Sequence, residues 1–321
     1  MLLVTDLLLG VAFAFAFSIG AHYTGACMGM PYAAGAIRPG PALLLMAPLA
    51  LVGAVLASGA VETTVGHGIL ESSRIAVVLA LAIVASALAL TSAYNLVKVP
   101  TSTIQILVFS AVGAGLAAGV TIQWTTIGAL LVLWASAPFA AFGLGYLIVR
   151  LADHGRAAAP RTSNLVRGAM LGLVGVGAAA SFAMGANDVS NASGALVMTN
   201  LFSLMVAGLI GGVGLALGAL TWGRPLLKTV AFDLVQLDAR MAISAQLAQS
   251  IVILVSVAFG YFTSMNQALV GAMIGTGVAR GRAPVLWKAV RGVLVGWALG
   301  PVSGAALGFG LTTALLVLHI L

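Results

Sequence analysis

The stretch MGANDVSNASG (184–194) sets an aspartate, Asp188, in an otherwise apolar part of the chain. The flanking stretches LVGVGAAASFA and ALVMTNLFSLMVAGLIG carry no charge. Of the 321 residues, 61% are hydrophobic and only 7% are charged, against about 25% charged residues in a soluble domain. No protein core of this size could enclose so much apolar surface, so the sequence predicts a chain surrounded by the lipid bilayer.

Apolar runs of membrane-spanning length recur along the whole chain. A helix needs about 20 apolar residues to cross the hydrocarbon layer. The run 266–279 is short for a crossing and fits a half-helix joined to a re-entrant segment. We therefore predict an all-α polytopic membrane protein with about ten membrane segments, some broken or re-entrant, over residues 3–37, 41–61, 75–95, 101–119, 126–148, 168–199, 203–221, 241–261, 266–279 and 292–317.

The basic residues predict how these segments are oriented. With ten crossings, the loops near 38, 98, 149–167, 222–240 and 280–291 share one side, and they hold every Lys and Arg except Arg74. The positive-inside rule makes that side cytoplasmic. We therefore expect both termini to lie outside a cell membrane. This orientation accounts for the net charge of +7, which gives no reason to expect nucleic acid as a partner.

The two halves of the chain repeat each other in sequence. SIGAHYTGACMG (18–29) aligns with AMGANDVSNASG (183–194), and PTSTIQILVFSAVGAGLAAG (100–119) aligns with FTSMNQALVGAMIGTGVARG (262–281). Each half contains five predicted crossings, an odd number, so the second half enters the membrane in the opposite direction. We predict two inverted-topology repeats and a cytoplasmic linker between them, over residues 1–149, 168–321 and 150–167 respectively.

Both kinds of aligned stretch interrupt an apolar run with polar residues. Inverted repeats are a mark of secondary transporters, whose sites lie where the broken helices of the two halves meet. An inert duplicated scaffold is the alternative, but polar residues at matching breaks would have no use in it. Glycine in the breaks lets the backbone leave the helix, and exposed helix N-termini favour anions. Hydroxyl groups could then hydrogen-bond an oxyanion, from Ser102, Thr103, Ser190 and Ser264.

Asp188 is the acidic residue that lies deep in an apolar run on this map. The others, Glu62 among them, fall at span edges or in loops. A charge at membrane depth is costly and marks a functional site, where Asp188 and freed carbonyls could hold a sodium ion or a proton. The alternative is a structural cap for a half-helix that starts near Val189. His22 could carry a proton or be a satisfied core histidine. No nucleophile–base pair or metal-ligand cluster is evident, so we do not expect an enzyme.

At GANDVSNASG the sequence resembles the inorganic phosphate transporter family, whose halves each carry GAND-V-A-N-A and P-V-S-T-T-H motifs. The second motif corresponds to Pro100–Gln105 and Phe262–Gln267, and the resemblance covers essentially the whole chain. It implies a homodimer and motif residues that line the anion and sodium sites. For the cation, sodium or a proton, these are Asn187 and Asp188. For the anion they are Ser102, Thr103, Gln105, Ser190, Asn191, Ser264, Asn266 and Gln267.

The chain departs from the family motifs at informative positions. The first GAND reads GAHY, and both copies of the second motif end in glutamine rather than histidine. The stretch ACMGMPYAAGAI (26–37) is similar to the sulfate permease branch of the family. Phosphate at neutral pH carries a proton that an aspartate can accept, whereas sulfate offers none, so the loss of one carboxylate favours sulfate. Asp188 remains and could serve phosphate.

We therefore predict a symporter that imports an inorganic tetrahedral oxyanion, sulfate favoured, with protons or sodium. A sodium-coupled phosphate transporter is the first alternative. A passive anion channel is an alternative of another class. No cofactor is expected apart from a sodium ion.

Overall fold

The computed structural model describes residues 2–71, 76–97, 101–154, 163–227, 238–281 and 287–321. Within these ranges the chain is helical apart from one antiparallel pair of two-residue strands. The elements in chain order are α1 (Leu2–His22), α2 (Thr24–Ala33), α3 (Pro39–Leu56), α4 (Gly59–His67), β1 (Leu70–Glu71), α5 (Val77–Leu96), α6 (Thr103–Ala118), β2 (Thr121–Ile122), α7 (Trp124–His154), α8 (Ser163–Asp188), α9 (Ser190–Val197), α10 (Leu204–Leu226), α11 (Ala239–Ala258), α12 (Met265–Ala279) and α13 (Trp287–Val317).

The described helices are those of a multi-pass membrane protein. Eight segments are long and apolar enough to cross a bilayer, and α1 with α2 and α8 with α9 each form one of them, 32 residues long. The shorter apolar helix α6 has 16 residues, and the buried helix α12 has 15, in keeping with a prediction of about ten segments of which some are broken or re-entrant. The all-α polytopic fold is thus confirmed. One boundary was wrong: the predicted segment 41–61 is two helices, since α3 ends at Leu56 and α4 follows it.

Matching glycines interlock the first helices of the two halves. A side chain on Gly20 in α1 would lie 2.0 Å from the Leu215 carbonyl oxygen in α10. At the corresponding places in the other half, a side chain on Gly185 in α8 would lie 1.9 Å from the Ala50 carbonyl oxygen in α3. Small residues let helix backbones approach this closely in membranes. The contact made by one half is therefore repeated with the roles of the halves exchanged.

The last helices of each half interlock by the same rule. Gly113 in α6 faces the carbonyl of Ala305 in α13, and Gly275 in α12 faces the carbonyl of Phe142 in α7. The final helix of each half thus packs against the short helix of the other half. The duplication predicted from sequence is visible as one intertwined body, built on inverted repeats.

An ion-pair cluster joins three of the loops that were predicted to share one side. Arg280, just after α12, pairs with Asp153 at the end of α7 and with Asp238 just before α11. Arg240 adds a contact of 3.3 Å to Asp153. Hydrogen bonding to Asp153, and then the charges of both carboxylates, raise the pKa of Arg280 above its usual range. The β1–β2 pair lies at the other end of the molecule, because β2 leads directly into the start of α7.

Candidate anion and cation site

The GAND stretch stays helical up to its aspartate. α8 runs through Gly185 and ends at Asp188, and α9 begins two residues later. The expectation that glycine releases the backbone here is therefore wrong. Gly185 instead lets the Ala50 carbonyl approach α8, and the break falls at Val189. In the first half the break between α1 and α2 falls at Tyr23.

Two short helices begin inside the protein and are capped in the same way. Ser102 precedes α6 and its hydroxyl accepts a hydrogen bond from the Gln105 amide at 3.4 Å. Ser264 precedes α12 and accepts from the Gln267 amide at 3.5 Å. Both cap residues are extended and buried. Two helix N-termini, each with a partial positive charge, are thus held away from the surface. Pro100 lies outside the described residues.

Asn187 fastens the extended segment before α12 to the break in α8. Its side-chain amide donates to the Thr263 carbonyl at 2.8 Å, and its side-chain oxygen accepts from the Thr263 N–H at 3.0 Å. The same amide donates to Asp188 Oδ2 at 3.1 Å. One carboxamide therefore fixes both the re-entrant backbone and one oxygen of the buried carboxylate.

Thr103 is a second residue at which separate segments of the chain come into contact. Its hydroxyl lies 3.1 Å from the Tyr23 hydroxyl and 3.4 Å from the Asn191 amide. The Tyr23 hydroxyl also interacts electrostatically with the Asp188 carboxylate. Beside Tyr23, the His22 ring nitrogen lies 3.5 Å from the Asn266 amide. The breaks of α1 and α8 and the starts of α6 and α12 thus converge on one site.

Several buried polar atoms at this site have no hydrogen-bond partner. Three are oxygens: Asp188 Oδ1, Asn191 Oδ1 and Thr263 Oγ1. Buried polar groups are nearly always satisfied in proteins, so unsatisfied ones clustered at one place point to a ligand, an ion or water. Asp188 is the last residue of α8, and the C-terminal ends of broken helices coordinate the coupling ions in transporters.

Asp188 does not cap α9. The cap position is Val189, which makes no capping hydrogen bond, while Asp188 Oδ2 accepts from the Asn187 side chain and Asp188 Oδ1 has no partner. The structural alternative for Asp188 is therefore wrong. Ser190, by contrast, uses its hydroxyl proton to bridge the break, since it donates to the Asn187 carbonyl of α8 at 2.8 Å. In this arrangement Ser190 offers an incoming ligand only its oxygen.

Glu62 is a second buried acid, which was not predicted as a site residue. It was placed at a span edge, but α4 packs against α9 and Glu62 is 1% exposed. Ser193 donates to Glu62 Oε1, and Glu62 Oε2 has no partner. A signal was present: Glu62, Thr63 and Thr64 put three polar residues directly after an apolar run. The error followed from the misplaced end of α3.

Gln105 and Gln267, which were predicted to bind the anion, lie in the first turns of α6 and α12. Neither side chain hydrogen-bonds to Asn187, Thr103 or Asp188 in the described structure. Both also line an apolar cavity next to the site. The other predicted residues either lie at the convergence of the four breaks or cap the helices that start there.

A buried polar junction between interlocked inverted repeats is the architecture of a secondary transporter. The chain belongs to the phosphate transporter family, whose sequence model matches it twice, over residues 19–170 and 159–308. It is thus a membrane transporter and not an enzyme.

Individual relatives carry different substrate names. The chain is 30% identical over 310 residues to the sulfate permease CysP of Bacillus subtilis, a match that covers 94% of this chain and 85% of the relative. It is 32% identical over 135 residues to the mouse sodium-dependent phosphate transporter 1, which covers 39% of this chain and 20% of the mouse protein. A solved sodium-dependent phosphate transporter shares the fold, with a TM-score of 0.87 at 20% identity over 98% of this chain and 99% of that one.

Proposed function

We propose that the protein is a symporter that imports an inorganic tetrahedral oxyanion, sulfate in preference to phosphate, together with protons or sodium ions. The observation that carries the proposal is the convergence of four helix breaks on one buried site. That site holds donors suited to an anion and unpartnered oxygens suited to a cation.

The anion would be held by the starts of α6 and α12. Helix N-termini bind anions through free amides and the helix dipole. The Thr103 hydroxyl and the Asn191 amide meet at 3.4 Å and could turn together towards a bound oxyanion. The remaining anion ligands in the proposal come from the same two helix starts and from α9: Ser102, Gln105, Ser190, Ser264, Asn266 and Gln267.

The coupling cation would be held by Asp188 beside Asn187. A sodium ion would take Asp188 Oδ1 with oxygens of Thr263 or Asn191, and a proton would sit on Asp188 itself. Each charge moved across 100 mV involves about 2.3 kcal/mol. A dianion entering a negatively charged interior therefore needs at least two monovalent cations for electroneutral uptake. Asp188 and Glu62 provide two buried carboxylates for them.

Sulfate is favoured because the first half has lost the GAND acid and holds His22 and Tyr23 there instead. The similarity to a sulfate permease over nearly the full chain agrees with this choice. Glu62 favours the second candidate, sodium-coupled phosphate transport, because a buried carboxylate can accept the proton of a hydrogen phosphate. The mouse relative is named for that activity.

The test is uptake of radiolabelled sulfate and phosphate into proteoliposomes, with proton and sodium gradients imposed separately. Asp188→Asn is compared with Asp6→Asn, which makes the same change at an exposed position of α1. We expect gradient-driven sulfate accumulation that excess phosphate does not abolish, that Asp6→Asn retains and that Asp188→Asn loses. Sodium-driven phosphate uptake would select the second candidate. Uptake that only equilibrates, and that Asp188→Asn leaves unchanged, would identify a passive anion channel.

We also propose a homodimer in the cell membrane with both termini outside. The orientation is supported by the one-sided distribution of Lys and Arg. Cys27 is the chain's single cysteine and is buried. A Leu318→Cys variant in a Cys27→Ala background should therefore react with an impermeant maleimide added to intact cells. Labelling only after the cells are opened would reverse the orientation.

A further inference from the structure

The apolar cavity next to the site lies between the four helices α6, α7, α12 and α13. Its volume is about 580 Å³. Eight of its fourteen lining residues form four pairs at equivalent positions of the two halves, and the other six come from α7 and α12. Three such pairs are Gln105 with Gln267, Trp134 with Trp297, and Pro138 with Pro301. We call it the glutamine cavity.

Three side-chain amide atoms of the glutamine cavity have no hydrogen-bond partner. Gln267 is fully buried, and neither its side-chain oxygen nor its nitrogen has a hydrogen-bond partner. Gln105 Oε1 is likewise without a partner. Among the described residues that line the cavity, none carries a charge. The cavity therefore combines apolar walls with one uncharged polar region, formed by the two glutamine side chains, that can make hydrogen bonds.

The cavity opens towards the lipid. Three of its lining residues, Leu131, Phe139 and Leu294, are 47%, 77% and 53% exposed, and they lie on membrane-spanning α7 and α13. A ligand would thus enter sideways from the bilayer. Volumes of about 300–1,000 Å³, apolar walls and few polar groups are typical of small-molecule sites.

We propose that the glutamine cavity binds an uncharged single-chain amphiphile, with its hydroxyl or ester group at the two glutamines and its chain along the tryptophan and proline walls. A charged head group would be buried without a counter-charge, which is very costly. A plain hydrocarbon would leave the amides unsatisfied, at about 1–3 kcal/mol for each group. A phospholipid chain whose head group stays at the membrane surface has the same defect.

Occupancy of the cavity is expected to inhibit transport, and this second step rests on the proposed function. Gln105 and Gln267 lie in the first turns of α6 and α12, and their backbone amides bond the Ser102 and Ser264 caps. A ligand held by both glutamine side chains would tie together the two helix starts that the anion is proposed to use. Helix starts restrained in this way cannot move apart as the site opens.

Binding can be measured without transport, because Trp134 and Trp297 line the cavity. A brominated monoacylglycerol is titrated into the purified protein in nanodiscs while tryptophan fluorescence is recorded. Bromine in the cavity quenches both rings and should give a saturable component above the linear quenching of lipid-facing tryptophans. Ile274→Phe fills the cavity from α12 and should weaken this component at least tenfold. Val132→Phe, a neighbouring lipid-facing position on α7, should not.

The role of the two glutamine side chains is tested separately. Gln267→Leu should weaken saturable quenching several-fold, and a brominated alkane without a head group should give only the linear component. Quenching that is linear throughout, or equal in Ile274→Phe and Val132→Phe, would overturn the site. Equal saturable binding of the alkane would overturn the role of the glutamines. Added monoacylglycerol should slow uptake by the natural protein and spare Ile274→Phe, and binding without any slowing would overturn the inhibitory step alone.

Discussion

At the scale of single residues, Asn187 and Glu62 decide most about the site. Asn187 holds both backbone groups of Thr263 and one oxygen of Asp188, so one side chain joins the end of α8 to the segment before α12. Glu62 approaches the same region from α4 through Ser193. Both residues act through partners more than 70 positions away in sequence, which is why only Asn187, within a motif, could be singled out beforehand.

Asn187→Asp should abolish coupled uptake and destabilise the protein. The substitution keeps the size of the side chain but removes the donor to Thr263 and sets a second carboxylate beside Asp188. Loss of a buried hydrogen bond costs about 1–3 kcal/mol, so the midpoint of thermal unfolding should fall. The control is Asn164→Asp at an exposed position of α8. If both variants had the same midpoint of thermal unfolding as the natural protein, Asn187 would not be fastening the re-entrant segment.

Glu62→Gln should retain the fold and lose coupling. Glutamine can still accept from Ser193, so the unfolding temperature should change little, but it cannot carry a proton or neutralise a cation. Gradient-driven uptake should fall at least tenfold. Glu71→Gln, an exposed acid in β1, serves as the matched control. Full accumulation by Glu62→Gln would show that Asp188 alone carries the coupling.

At the scale of helices, close backbone contact determines which elements meet. Gly20, Gly53, Gly185 and Gly218 all sit against carbonyl oxygens of the opposite half. In a bilayer, helices gain little from burying apolar side chains, because lipid tails are equally apolar, so packing depends on such close approaches. The two halves therefore assemble into one body that positions four helix breaks together.

Gly185→Ala tests this packing directly. The added methyl group would lie 1.9 Å from the Ala50 carbonyl oxygen, so α3 and α8 would have to separate. Overpacking costs about 1–3 kcal/mol, and the shift would displace Asn187. Gly175→Ala in the same helix meets open space and should be neutral or slightly stabilising. Thermal unfolding of the two variants should therefore move in opposite directions or differ by several degrees; equal values would contradict the packing argument.

At the scale of the whole molecule, the two ends are held by different interactions. The ion-pair cluster joins Asp153, Asp238 and Arg280 at one end. The equivalent positions of the other half are Leu316, Ala76 and Ala118, which cannot form ion pairs. The inverted repeats are therefore symmetric in their helix packing and asymmetric in what closes each end. Opening at the charged end would break these ion pairs, whereas the described residues at the equivalent positions of the other half form none.

Asp153→Asn should make the charged end open more often. It removes the carboxylate that pairs with both Arg280 and Arg240, and partly exposed pairs contribute about 1 kcal/mol each at most. A cysteine placed beside the cluster in the Cys27→Ala background should react severalfold faster with a soluble maleimide. Arg240→Gln breaks only the 3.3 Å contact and should have a smaller effect. If the maleimide reacted at the same rate in Asp153→Asn, Arg240→Gln and the parent protein, the ion-pair cluster would not be what keeps this end closed.

The sequence by itself determined that lipid surrounds the chain, the approximate number of membrane segments, the duplication of the two halves and the protein family. Composition and repeated motifs are local properties, so they can be recognised without the tertiary structure. The sequence also singled out Asn187, Asp188, Thr103 and the two serine caps. It did not reveal that GAND stays helical, that Glu62 is buried, or that the two glutamines share a cavity. These features depend on contacts between distant segments, and only the tertiary structure decides which backbone a glycine admits and which carboxylate a neighbouring helix covers.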